Sequence, residues 1–136
     1  MGEMVEFATN GKMSQGYLAE PSSGGGPGVI VIQEWWGLND QICGVADRLA
    51  RAGYNSLAPD LYEGQTTQDP DEAGHMMSGL DFPGATHQDI RGAIQHLASG
   101  SSKVAVVGFC MGGALTIAST VHIPECAAGI CFYGIP

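Results

Sequence analysis

The sequence predicts an α/β domain, a mainly parallel sheet covered by helices on both faces, with an antiparallel hairpin at the N-terminus. Three observations carry that expectation. The runs GVIVIQ (28–33) and KVAVVG (103–108) are short and continuously apolar, as strands buried on both faces must be. Amphipathic helical stretches alternate with such runs, which is the pattern of strand–helix–strand units. Finally, Asn10-Gly11 separates MVEFAT from MSQGYLAEP, and an Asn-Gly pair between two strand-like segments is a hairpin signal.

Each element follows in order. The loop PSSGGGP (21–27) leads into the first buried strand. After Asn39-Asp40, QICGVADRLARAG brings Ile42, Val45, Ala46, Leu49 and Ala50 onto one helical face, and Gly53 stands where a C-terminal cap belongs. YNSLAPDLY supplies a short strand stopped by Pro59. The acidic segment 66–82 holds a short helix over 72–77. A second amphipathic helix over 86–98 turns Ile90, Ala93, Ile94 and Leu97 inward. A strand over 103–108, a helix over 111–120 and a last strand over 126–134 complete the single domain, 1–136.

Composition excludes several roles. Five Lys and Arg against 14 Asp and Glu give a formal charge of −9, so no basic stripe is present to neutralise phosphates. Nucleic acid is not an expected partner, and an anionic membrane surface would repel the chain. No apolar run reaches bilayer length, and MGEMVEFATNGKM lacks the cationic start and apolar stretch of a secretion signal. The spacings of Cys43, Cys110, Cys126 and Cys131 fit neither a zinc signature nor a CxxC pair. A cytoplasmic protein with reduced thiols and no bound metal is therefore expected, with Cys43, Cys126 and Cys131 as small buried hydrophobes.

Cys110 is different. Gly108-Phe109-Cys110-Met111-Gly112-Gly113 lies between a strand and a helix and has the G-x-S-x-G layout of a nucleophile elbow, with sulfur for oxygen. Lifting a side chain out at such a turn strains its backbone and presses the flanking turns together, which glycine permits. A helix N-terminus would favour the thiolate, and the Met111 N–H would face a developing oxyanion. The same glycines could simply let strand and helix pack closely; placement between the two favours the nucleophile.

Three segments, VIVIQEWWGLND, LAPDLYEGQ and VVGFCMGGALT, together resemble the dienelactone hydrolase family of the α/β-hydrolase fold, from about Gly16 onward. The resemblance implies hydrolysis of a small ester or lactone by a Cys-His-Asp triad, without metal or organic cofactor. It makes Cys110 the nucleophile and Glu34 a carboxylate that bonds the resting thiol. The oxyanion hole becomes the N–H groups of Trp35 and Met111. A carboxylate beside a thiol disfavours the thiolate and limits its oxidation, which suits Glu34 to that place. Trp36 is either ordinary packing or an aromatic wall for a flat substrate.

The sequence departs from the family in two ways. After Cys110 it contains no Asp, and Glu125 and His122 are its sole downstream acid and histidine. His75, His87 and His96 precede the nucleophile, against the order of the fold, and all four histidines read as surface or capping residues. The sheet is thus expected to stop after the strand that follows the nucleophile helix, leaving an uncovered edge that invites a homo-oligomer or a second chain. In addition, no Lys or Arg lies between Arg51 and Arg91, where the family holds an arginine for its substrate's carboxylate. The leading expectation is a cysteine hydrolase, weak or inactive as this chain alone. The alternative is a non-enzymatic remnant serving as an interaction module.

Overall fold

The computed structural model describes residues 1–135; Pro136, the last residue of the expected domain, lies outside the described residues. Six strands form one sheet in the order β1-β2-β4-β3-β5-β6. β1 (Glu3–Ala8) and β2 (Met13–Ala19) make the antiparallel hairpin, and β2 also runs antiparallel to β4 (Asn55–Pro59). β3 (Gly28–Ile32), β4, β5 (Val104–Phe109) and β6 (Cys126–Phe132) are mutually parallel neighbours. The expected architecture is the observed one.

The hairpin closes differently from expectation. Gly11 is not among the glycines of positive φ, so Asn10-Gly11 does not form the left-handed two-residue turn. Instead the Thr9 side chain accepts the Lys12 N–H at 3.1 Å and donates to the Lys12 carbonyl at 2.7 Å. A hydroxyl does the work assigned to backbone handedness.

All five positions of β3 are buried, as its unbroken apolar run requires. One face of the sheet carries α1 (Asp40–Arg51), whose Ile42, Ala46 and Ala50 pack against Val29, Val31, Ala58 and Val107. Asn39 caps its start, accepting the Ile42 N–H. Its end is a Schellman turn: Gly53, at φ 103°, donates to Ala50 and Tyr54 donates to Leu49.

The other face carries the larger core, Phe7, Ile30, Ile32, Leu57, Ile90, Ile94 and Leu115 among them. It lies under α4 (Arg91–Ala98) and α5 (Met111–His122). The helix expected over 86–98 begins earlier. Asp81 caps α3 (Phe82–Gly84), and the chain continues through a π-helical stretch, Ala85–Ile90, into α4. Pro83 in the first turn suits a helix start, a signal the apolar spacing alone does not show. α2 (Pro70–Gly79) likewise exceeds the expected 72–77, because Asp69 caps it and Pro70 opens it.

β6 stands at the edge, and all but its first residue are exposed. Ile130 and Phe132 keep 52% and 47% of their surface in contact with solvent, so the face of the strand that carries them has no covering layer among the described residues, while α5 packs on Gly129 from the other face. The reading of three cysteines as buried hydrophobes does not hold. Cys131 on β6 is exposed, Cys126 at its start is half-buried, and Cys43 on α1 is half-buried.

Candidate active site

Parallel pairing of β3 with β5 sets Ile32 opposite Gly108. Two residues further along each strand, Glu34 and Cys110 leave the sheet at the same level, at its C-terminal edge. In parallel sheets that edge is where binding groups gather. Register alone therefore brings two of the expected site residues together.

Cys110 adopts φ 57°, ψ −117°, a region L-residues rarely occupy, and it caps α5. Its N–H donates to the Phe132 carbonyl at 2.9 Å, and its own carbonyl accepts the N–H groups of Gly113 and Ala114. The bend is thus held by β6 on one side and by α5 on the other. The glycines are needed for contact. A Cβ on Gly112 would lie 2.5 Å from the carbonyl oxygens of both Ile32 and Gln33, and one on Gly108 would strike the Gly112 carbonyl. A Cβ on Gly113 would come within 2.8 Å of the Phe132 carbonyl oxygen. The helix start is wedged between the ends of β3 and β6.

Gln33 anchors the opposing loop. It is fully buried, donates from Nε2 to the Pro59 carbonyl at 2.6 Å, and accepts the Leu61 N–H on Oε1 at 2.9 Å. A polar residue ending an apolar run was a visible signal of this role. The next residue, Glu34, accepts a hydrogen bond on Oε2 from the Tyr133 hydroxyl at 2.6 Å. Among the described residues the Cys110 thiol makes no hydrogen bond, so here Glu34 is held by Tyr133 and not by sulfur. Tyr133, at φ 42°, turns its ring back over the strand ends. Its hydroxyl is pushed up to about 12, first by the bond to Glu34 and then by burial and the neighbouring charges. Sequence reasoning missed Tyr133. Its one trace is an aromatic before Gly134, at the end of the strand beside the elbow.

Met111 is the first residue of α5, so its N–H has no intrahelical acceptor. Neither it nor the Trp35 N–H donates to another backbone carbonyl among the described residues. The Met111 side chain is buried, and its Sδ accepts the Tyr62 hydroxyl at 3.3 Å. Burial pushes the Tyr62 hydroxyl up to about 12, with Cys110 adding to it. Trp35 and Trp36 are half-buried and meet edge to face at 5.3 Å.

Cys110 opens into a cleft of about 480 Å³ lined mainly by apolar side chains from α2, α3 and α5. Trp36 is not among its lining residues; its carbonyl accepts the Thr67 N–H at 3.1 Å and ties two loops together. All four histidines are exposed, and none lines this cleft. Among the described residues no three His, Cys, Asp or Glu side chains are grouped to hold a metal ion. None of the helices is long and apolar enough to cross a membrane, again among the described residues.

A family model described as the dienelactone hydrolase family matches residues 14–136. The chain belongs to that family. "Protein usf" of Aquifex pyrophilus is 39% identical over 146 residues, covering 100% of this chain and 63% of its own length. A "Putative carboxymethylenebutenolidase" of Aquifex aeolicus is 36% identical with the same coverage. A crystal structure of a "Putative Dienelactone Hydrolase" from Klebsiella pneumoniae superposes with a TM-score of 0.84 at 27% identity. That match covers 98% of this chain and 60% of the Klebsiella chain. The fold is α/β-hydrolase-like, and the chain spans about three-fifths of the length of these relatives.

Proposed function

We propose that this chain carries the nucleophile and the oxyanion site of a cysteine-dependent hydrolase of small esters or lactones. Cys110 Sγ attacks the substrate carbonyl carbon, and the electron pair of the C=O bond moves onto oxygen. The N–H groups of Trp35 and Met111 receive that oxyanion. The thiol's proton passes to a base and from it to the alkoxide oxygen as collapse expels the alcohol, leaving a thioester on Cys110. Water then cleaves the thioester to acid and free thiol. The proton acceptor comes from residues other than the four exposed histidines described above, so this chain alone turns over slowly or not at all.

The left-handed backbone at Cys110, at the tip of a strand-to-helix turn beside an uncommitted Met111 N–H, is what supports the reading. Strain of that kind persists only where its surroundings over-determine it. Iodoacetamide labelling, followed by peptide mass mapping, tests it. Cys110 alkylates faster than Cys43, Cys126 and Cys131, and a chromogenic acetate ester is turned over negligibly by the chain alone. Equal slow labelling of all four thiols defeats the nucleophile. Ester turnover at the rate of an intact thiol esterase, lost in Cys110→Ala, defeats the claim of an incomplete site.

The uncovered β6 favours a second reading, an interaction module in which the exposed strand is the working surface. Both readings expect self-association or a second chain along β6. A monomer by light scattering at micromolar concentration would count against that association.

A further inference from the structure

Building on that reading of Cys110, we infer that the cleft beside it selects substrates whose acyl part is uncharged and apolar. Carboxylate-bearing ones are rejected. Its walls are Met77, Leu80, Phe82, Met111, Ala114 and Ile135, with Ser78 and the Tyr133 hydroxyl as polar points on the rim. A group of about 480 Å³ entering it meets thioethers, aliphatic carbons and one phenyl ring, and its burial is favoured in proportion to apolar area.

The five cations of the chain all lie elsewhere. Lys12 is bound 3.4 Å from both Glu63 and Asp89, in a separate polar cleft. Arg91 is paired with Glu125 at 2.9 Å. Arg48 and Arg51 are in the last turn of α1, on the opposite face of the sheet. Lys103 precedes β5, at the end of the strand remote from Cys110. Tyr133, which lines the cleft, holds the Glu34 carboxylate through its hydroxyl at 2.6 Å. A substrate carboxylate would enter an apolar site that none of this chain's five cations lines, which is unfavourable.

Two reagents of the same size and opposite character test this on the chain as it is: neutral iodoacetamide and anionic iodoacetate. Rates at each cysteine are read by peptide mass mapping, with exposed Cys131 as the reference that shares the same net charge of −9. The neutral-over-anionic rate ratio at Cys110 exceeds that at Cys131 by about tenfold, the effect of one unpaired charge in a partly dehydrated site. Replacing N-methylmaleimide by N-butylmaleimide accelerates Cys110 over Cys131 by about fivefold, through partial burial of the three added CH2 groups, each of which contributes roughly a factor of four when fully buried. Ser78→Arg, a change at an exposed rim position, lowers the Cys110 ratio severalfold and leaves Cys131 unchanged.

Equal ratios at Cys110 and Cys131, or no response to Ser78→Arg, overturn the inference while leaving Cys110 a nucleophile. Iodoacetamide labelling of Cys110 no faster than that of the other three thiols overturns the nucleophile itself, and this selectivity with it.

Discussion

Replacing Cys110 by Gly stabilises the protein relative to replacing it by Ala. Both substitutions remove the thiol, so they differ by one methyl group and by what the backbone tolerates at φ 57°, ψ −117°. A strained non-glycine conformation costs about 1–3 kcal/mol, and glycine removes that cost. Against this, glycine gives the unfolded chain more freedom, worth about 0.5–1 kcal/mol in the other direction. The net expectation is that Cys110→Gly exceeds Cys110→Ala by about 0–2.5 kcal/mol. For a chain of 136 residues each kcal/mol moves the midpoint by roughly 3–5 °C. Urea unfolding of the two variants side by side, with the slopes compared so that only the midpoint carries the difference, gives the number. Cys110→Gly less stable than Cys110→Ala would mean that no strain is stored at the elbow, and the physical case for a forced nucleophile would fail.

Three further expectations follow from neighbouring contacts. Gly112→Ala costs about 2–3 kcal/mol by denaturant melting, because the new methyl would meet two backbone oxygens at 2.5 Å, neither of which can swing away. Tyr133→Phe frees the Glu34 carboxylate to turn toward sulfur, where it disfavours the thiolate, so iodoacetamide labelling of Cys110 at neutral pH slows severalfold. An unchanged rate would show that Tyr133 does not govern where Glu34 points. Asp60 is raised above its ordinary 3.8, chiefly by burial; Oδ2 accepts the Gly64 N–H at 2.7 Å while buried Oδ1 has no partner. A carboxyl that holds its proton more tightly when folded stabilises the protein at low pH and loses that contribution as pH rises from 3.8 through the raised value. Wild type minus Asp60→Asn, followed by melting from pH 3 to 7, shows that decline; a difference independent of pH would refute it.

What the sequence made legible was what depends on period and on local chemistry. The unbroken run of β3 and the spacing of Ile42, Ala46 and Ala50 placed those elements because burial on two faces or one leaves a pattern in the residues themselves. The strained strand-to-helix turn at Cys110 was legible because such a turn needs glycines at fixed offsets. Tyr133 was not, because its partner Glu34 lies 99 residues away and only the pairing of β3, β5 and β6 brings them together. Trp36 stayed open in the sequence between ordinary packing and a substrate wall; here its carbonyl accepts the Thr67 N–H and it does not line the cleft beside Cys110.

The uncovered strand and the candidate site are one mechanical unit. Phe132 of β6 supplies the carbonyl that fixes the Cys110 N–H, and its ring stacks on Phe109 at 5.2 Å and 9°. Gly134 packs on Gly113 so closely that neither admits a Cβ, and Tyr133, next to Gly134 in the chain, holds Glu34. An edge strand with exposed apolar residues on it is the part of a sheet that opens at least cost. Opening it would release the elbow, the carboxylate and one wall of the cleft together. Whatever covers β6, a second copy or another segment, therefore stabilises the thiol's geometry without touching it. Association and Cys110 reactivity must then rise together as protein concentration is raised, a coupling that a site independent of the edge would not show.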